Sequence, residues 1–355
     1  MNRKRFLPNP TQELLLGVCL HRDPASAARC WKQWKAQVDL DDLDSASFHI
    51  MSLVYLRLRD AGIDDPDLGR IKGLHRYRWT QSQVGFRGKQ ALLKALSSEK
   101  VPTMLLRGAA LAGTVYPEPT ARGIHDTDIL APARSAPNAV QLLAAHGWLA
   151  RDFDPVRTIE SLPGCPLLHP DYGEVYLHWR IIRARCREEG DEWQASAPFQ
   201  FEDTPTRIPS AADQLLHACE HGVNPWSRAG LQWLADCVFL IRNSNPPLDW
   251  ARLVEQSRRY QLSLHTRGAL IYLRNHFENS IPREVIAELA RSPVSLDGRI
   301  EYFLAGRPEG KQHDLVHKFA AAACRYIGMK SGGRLRQLLR DIRRLPRVLS
   351  RSIAG

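Results

Sequence analysis

Residues 101–132 read VPTMLLRGAALAGTVYPEPTARGIHDTDILAP, and two features in them organise the rest of the chain. The first is an apolar run at 104–106 that meets Arg107-Gly108 and continues as an Ala- and Leu-rich helix former. This pattern predicts a strand that turns into a helix at Gly108. A helix N-terminus offers free N–H groups to an anion, and a glycine lets a phosphate approach the backbone. Arg107 and Gly108 are therefore candidate phosphate-binding residues, although such turns also occur in α/β proteins that bind no phosphate.

The second feature is a pair of aspartates, Asp126 and Asp128, followed by the apolar residues Ile129 and Leu130. In a strand, residues i and i+2 project from one face about 6 to 7 Å apart, so the two carboxylates can share divalent cations. Mg²⁺ held by few carboxylates keeps positions open for substrate phosphates, as two-metal phosphoryl or nucleotidyl transfer requires. Arg122, four residues before Asp126, adds a cation. The alternative is a pair of solvated loop aspartates.

The order and spacing of these residues resemble the uncharacterised nucleotidyltransferase family of the DNA polymerase beta-like nucleotidyltransferase superfamily. The matching motifs are Leu106-Arg107-Gly108, Tyr116-Pro117, Arg122, Asp126-x-Asp128-Ile129-Leu130, Tyr176-Leu177-His178-Trp179, Leu215-Leu216-His217 and Leu231-x-Trp233-Leu234-x-Asp236. The resemblance covers most of the chain. It implies that Asp126 and Asp128 bind Mg²⁺ or Mn²⁺, and that Arg107, Gly108 and Arg122 hold the triphosphate of an NTP, with ATP the expected donor.

Three positions depart from the family pattern. Arg107 replaces a lysine, and Ala109 stands where the superfamily often has serine. Tyr176 occupies the position where many relatives have an acid, immediately before Leu-His-Trp. By the period of two in a strand, Glu174, Tyr176 and His178 share one face. Glu174 is therefore a candidate third ligand and His178 a candidate ligand or base. The alternative is a solvated Glu174 and a hydrogen-bonded core histidine.

Two further candidates lie on predicted helices. His217-Ala218-Cys219-Glu220-His221 is an H-x-x-E-H string, which on a helix can form the zinc site of an inverted zincin metalloprotease. No evident downstream glutamate helix supplies a third zinc ligand, and the resemblance instead makes His217 a nucleotide-site residue. Asp236 lies in an apolar helix and needs a partner. The resemblance suggests contact with the site through His217 or a substrate group; a capping or salt-bridged acid is the alternative.

Hydrophobic periodicity predicts helices before residue 99, the last of them at 88–97, then alternating strands and helices at 99–187, a polar loop after Arg187, and then more helices. The predicted fold class is α+β or α/β, with a small mixed-sheet nucleotidyltransferase core between helical regions. The predicted domains are an N-terminal helical region at 1–98, the core at 99–187, a C-terminal helical bundle at 188–329 and a basic amphipathic tail at 330–355.

The chain has 49 Lys+Arg against 38 Asp+Glu, a net charge of +11, which predicts attraction to an anionic partner. Nucleotides, nucleic acid and anionic lipid all qualify, and the tail is a candidate contact for an acidic surface, a membrane or RNA, unless it is simply a solvated helix. Seven cysteines without C-x-x-C spacing favour reduced thiols and a cytoplasmic location. No apolar run reaches the ~18 residues that a membrane span needs.

These observations predict a cytoplasmic, Mg²⁺-dependent nucleotidyltransferase. It would move a nucleoside monophosphate from NTP to an acceptor hydroxyl or phosphate on a small molecule, peptide or sugar. The alternative is a degenerate member of the family, lacking the third acid, that binds nucleotide or nucleic acid and regulates. The zinc metalloprotease is a further, weaker alternative.

Overall fold

A computed structural model describes residues 4, 6–123, 128–150, 159, 163–182, 191–224 and 230–306 of the chain. Asp126 and the basic tail at 330–355 lie outside these residues. The described part is a seven-stranded mixed sheet surrounded by helices, which confirms the predicted α+β class.

Four helices precede the sheet, and Asn9, Asp23 and Asp44 cap the first three of them through side-chain oxygens that accept from backbone N–H groups. The helices are α1 Pro10–Leu20, α2 Pro24–Lys35, α3 Ser45–Asp60, α4 Leu68–Ser98, α5 Arg107–Ala112, α6 Pro119–Arg122, α7 Ala136–Ala145, α8 Glu192–Ala195, α9 Ala211–Val223, α10 Gln232–Asn243, α11 Trp250–Arg259, α12 Ser263–His276, α13 Arg283–Arg291 and α14 Leu296–Ala305.

The strands are β1 Met104–Leu105, β2 Asp128–Leu130, β3 Leu149–Ala150, β4 Gly164–His169, β5 Gly173–His178, β6 Ala197–Phe201 and β7 Thr204–Ile208. Their order in the sheet is β3-β4-β5-β2-β1-β7-β6. The central β2 pairs antiparallel with β1 and parallel with β5. Because β2 is central, a polar side chain at its start is surrounded by both neighbouring strands.

Alternation along the central strands separates two cores. Leu105, Ile129 and Leu177 face one core, which α4 and α7 cover. Met104 and Leu130 face the other core, which combines α1–α3 with the C-terminal helices α9–α13. The two helical regions on either side of the sheet sequence therefore share one core.

Two sequence predictions about this fold are wrong. The predicted helix at 88–97 is only the last part of α4, which runs without interruption over 31 residues. The sequence predicts a polar loop after Arg187, but residues 197–208 form the β6–β7 hairpin, and β7 pairs parallel with β1. The sheet therefore extends past residue 187. In the parts of the chain that the structure describes, no helix combines the length and apolar character needed to cross a membrane.

Candidate functional site

The turn from β1 to α5 presents Arg107. Its backbone has φ +50°, in the left-handed region that residues with a side chain rarely adopt, at a cost of about 1 kcal/mol or more. The guanidinium lies between β2 and α9. Arg107 Nη1 contacts Asp128 Oδ2 at 3.4 Å, and Arg107 Nε donates to His217 Nε2 at 3.3 Å. The strained turn thus brings a cation to the first residue of β2.

Asp128 is buried at the start of β2 and accepts a hydrogen bond from His178 Nε2 at 2.7 Å through Oδ1. Burial by itself raises the pKa of this carboxyl. The charge of Arg107 and the hydrogen bond from His178 outweigh burial, and they hold the pKa well below its ordinary value. Asp128 is therefore ionised at neutral pH. Its predicted metal-binding partner, Asp126, lies outside the described residues.

Strand β5 supplies the neighbours of Asp128. The parallel register pairs Asp128 with Tyr176 and Leu130 with His178, so Asp128, Tyr176 and His178 share one face of the sheet. The Tyr176 and His178 rings are 4.6 Å apart. Among the described residues, His178 Nδ1 is buried and has no hydrogen-bond partner. Glu174 lies two residues before Tyr176 at the exposed start of β5, so its role as a third ligand stays a prediction.

A second cluster lies behind Gly108. Arg122 forms a bidentate pair with Asp236, through Nε at 2.7 Å and Nη2 at 3.0 Å. The Tyr116 hydroxyl donates to the same carboxylate at 2.6 Å, and Gln232 donates to the Tyr116 oxygen at 3.3 Å. Burial, followed by the Asp236 charge, raises the pKa of Tyr116 well above its ordinary value. Asp236 therefore joins the site through Arg122 and Tyr116, and it holds the Arg122 guanidinium in place.

Gly108 brings the two clusters together. A Cβ atom at this position would lie 3.2 Å from Arg122 Nη1 and 3.3 Å from Arg122 Cζ, closer than ordinary van der Waals contact. The missing side chain lets the Arg122 guanidinium lie against the β1–α5 turn. Arg107, Asp128, His178 and His217 thus form one cluster, and Gly108, Arg122 and Asp236 form the adjoining one.

The two histidines of the H-x-x-E-H string lie on α9. Burial, helped by the charge of Arg107, lowers the pKa of His217 well below its ordinary value and that of His221 to about 3. Nε2 of His217 accepts from Arg107, a cation that would oppose a metal at the same nitrogen. Over the described ranges, no three His, Cys, Asp or Glu side chains are grouped to hold a metal ion. The geometry thus favours a hydrogen-bonding role for His217 over the metalloprotease alternative.

Three contributing residues were not predicted as site residues. Tyr116 belongs to the Tyr-Pro motif, and Gln232 precedes Asp236 by four residues on the same helix, a spacing that places both on one face. Arg78 is buried in α4, where burial and the Arg122 charge lower its pKa to about 10. The helical spacing of Ile71, Arg78 and Ser82 could have indicated this burial, because it places Arg78 on the same face as the apolar Ile71.

The short central strands, the Gly108 turn and an ionised carboxylate at the first position of β2 define a nucleotidyltransferase-like core. The sequence model described as uncharacterised nucleotidyltransferase matches residues 48–278, and the chain belongs to that family. The match includes α4, the whole sheet and helices α9–α12. No curated protein sequence matches the chain.

Proposed function

We propose that the protein is a divalent-metal-dependent nucleotidyltransferase that moves a nucleoside monophosphate from an NTP, with ATP the expected donor, to an acceptor hydroxyl or phosphate. The acceptor would be carried by a small molecule, peptide or sugar. One observation carries the proposal: the ionised, buried Asp128 lies at the sheet position next to the Arg107-Gly108 turn. A buried carboxylate that stays ionised, as Asp128 does, is suited to bind a cation such as a divalent metal ion.

The chemistry of Asp128 fits Mg²⁺ or Mn²⁺. Hard divalent cations take carboxylate oxygens as ligands, and a low pKa means that no proton has to be displaced first. The 3.4 Å contact from Arg107 to Asp128 Oδ2 is longer than a strong charge-assisted hydrogen bond, which spans roughly 2.7–2.9 Å. That oxygen is therefore the better placed ligand. Asp126 and Asp128 would hold the metal, which when bound would neutralise charge on the phosphates.

Arg107 and Arg122 are the proposed triphosphate contacts. Both guanidinium groups are delocalised, permanently charged forks that match phosphate geometry. Arg122 lies against Gly108 and is oriented by Asp236, so it meets a substrate without first losing side-chain freedom. The guanidinium of Arg107 is held in place by the hydrogen bond that it donates to His217.

His178 is the proposed base near the acceptor, with Glu174 as the alternative. If its Nε2–H donates to Asp128, the neutral ring carries its lone pair on Nδ1, the nitrogen without a partner among described residues. An aspartate that orients a histidine in this way leaves the other nitrogen able to accept a proton. The acceptor hydroxyl would lose its proton to that nitrogen as its oxygen bonds to the α-phosphorus, while the bond from the α-phosphorus to the bridging oxygen breaks and pyrophosphate leaves.

The test incubates the protein with each NTP labelled at the α-phosphate, Mg²⁺ or Mn²⁺, and a small-molecule extract as a source of acceptors. Release of pyrophosphate together with a labelled product supports transfer. Asp128→Asn keeps a hydrogen-bond acceptor for His178 but lowers the anionic charge, and it should reduce the rate by about 100-fold or more. Asp203→Asn, at an exposed turn, is the matched control. An Asp128→Asn rate equal to wild type would contradict the proposal.

A second candidate, a degenerate member that binds nucleotide or nucleic acid and regulates, is favoured by Tyr176. This residue pairs with Asp128 in the sheet, and it has no carboxylate with which to supply a third metal ligand. Such a protein would bind ATP without releasing pyrophosphate, and Tyr176→Asp would then create activity. Wild-type turnover that His178→Ala or Glu174→Gln reduces about 100-fold would exclude it.

We also place the protein in the cytoplasm, where NTPs are available and thiols stay reduced. The seven cysteines, which lack C-x-x-C spacing, support this location.

A further inference from the structure

Helix α4 carries an unusual charge pattern. Its 31 residues include seven Lys and Arg and no Asp or Glu, so no ion pair within the helix can balance the charge. Among the described residues, Arg70 pairs with Asp41 and Lys94 pairs with Asp203 at the two ends of the helix. Between these ends the helix presents the exposed cations Lys72, Arg76 and Arg87.

Five side chains of this middle part share one helical face. At 100° per residue, Lys72, Arg76, Trp79, the half-buried Gln83 and Arg87 fall within about a quarter of the circumference, and they extend over about 22 Å of helix. We call these five residues the α4 stripe. Lys72, Arg76 and Arg87 are exposed, and the Trp79 side chain keeps 37% of its surface accessible between them.

The buried face of α4 fixes the direction of the stripe. Ile71 packs into one core, and Leu92, Leu93 and Leu96 pack into the other. The helix therefore cannot rotate without losing contacts to both cores, and the stripe faces solvent in one orientation. A large aromatic held at the surface between cations loses little conformational freedom when it binds a ligand.

This combination matches one class of partner. Cations spaced along a track suit successive phosphates, and an exposed indole provides a stacking surface for a base. A membrane-binding helix would need a continuous apolar face, but the apolar face of α4 is buried in the cores. An acidic protein segment would use the cations and leave the indole without a ligand.

We propose that the α4 stripe binds single-stranded nucleic acid. A single strand is required because a base must leave its stack to contact Trp79. About 22 Å of helix accommodates roughly six nucleotides at a spacing of ~3.4 Å. Docking at this stripe does not depend on nucleotidyl transfer, since none of its residues belongs to the candidate site and binding needs neither NTP nor metal.

The test measures fluorescence anisotropy of labelled 12-nucleotide RNA and DNA single strands with the full-length protein, without metal, between 50 and 200 mM salt. Three phosphate contacts on a single strand contribute about −2 to the slope of log affinity against log salt concentration. Lys72→Glu, Arg76→Glu and Arg87→Glu together should remove that part of the slope and most of the binding. Trp79→Ala should weaken binding about tenfold with the slope unchanged.

The matched control changes Lys32, Arg283 and Arg291 to Glu, which alters net charge equally at exposed sites on other helices. Equal loss of binding in the control and the stripe variant would overturn the proposal, because net charge alone would then explain it. Equal affinity for duplex and single strand, unaffected by Trp79→Ala, would also overturn it. Trp79-dependent binding to phosphatidylserine vesicles without binding to either oligonucleotide would assign the stripe to a membrane instead.

Discussion

Replacing Asp236 by Ala should destabilise the whole fold, because this carboxylate neutralises a guanidinium that has little access to water. The side chains of Arg122 and Asp236 are only 14% and 7% exposed, and they share two hydrogen bonds. The variant leaves the Arg122 charge buried without its carboxylate, and the Tyr116 hydroxyl loses its acceptor at the same time.

Removing one partner of a buried ion pair typically costs about 3–5 kcal/mol, since the remaining charge keeps its desolvation penalty. Losing a hydrogen bond to a charged group costs about 1.5–3 kcal/mol, which is what Tyr116→Phe should show alone. We therefore expect Asp236→Ala to lower the free energy of unfolding by about 4 kcal/mol. In the double variant Arg122→Met, Asp236→Leu no charge remains buried, so this variant should be more stable than Asp236→Ala.

The measurement is denaturant unfolding followed by tryptophan fluorescence, for which Trp233 on α10 lies three residues from Asp236 and is buried. A double-mutant cycle on Arg122 and Asp236 should give a coupling energy of about 2 kcal/mol or more. A cost below about 1 kcal/mol for Asp236→Ala, or additive effects in the cycle, would show that the pair contributes little, and the account of Arg122 as a fixed substrate contact would be wrong.

Two further predictions concern the same region. Gly108→Ala should leave the fold intact but weaken ATP binding about tenfold in a fluorescence titration, because the new Cβ displaces the Arg122 guanidinium; unchanged affinity would contradict this reading. His217 should make the free energy of unfolding depend on pH. It stays neutral in the folded protein, whereas the same histidine in the unfolded chain takes up a proton below about pH 6.5. The free energy of unfolding should therefore fall by up to ~1.4 kcal/mol per pH unit as the pH drops. His217→Gln should reduce that slope between pH 6.5 and 5 in unfolding curves, whereas an unchanged slope would assign the effect to other groups.

The sequence by itself determined the local part of the site. The apolar run that ends at Arg107-Gly108 predicted the strand-to-helix turn. Alternation in β5 placed Tyr176 and His178 on one face of the strand, and the register between β5 and β2 confirms this. The position of Asp236 in an apolar helix predicted that its carboxylate would have a partner, whereas its contact with the site was implied only by the family resemblance. Each of these inferences depends on a few neighbouring residues, because periodicity and turn chemistry act over short distances along the chain.

Tertiary structure alone decided which groups meet. Arg122 and Asp236 are 114 residues apart, and Arg107 and His217 are 110 apart, so no local pattern pairs them. The residues of the β6–β7 hairpin resemble a polar loop in the sequence because they are half exposed. They form strands because β7 pairs with the edge of β1, which is distant in the sequence. Burial of Arg78 in α4 likewise depends on what the other elements bring to that face. Long-range contacts of this kind are selected by packing of the whole chain, which is why the sequence predicted the components of the site better than their partners.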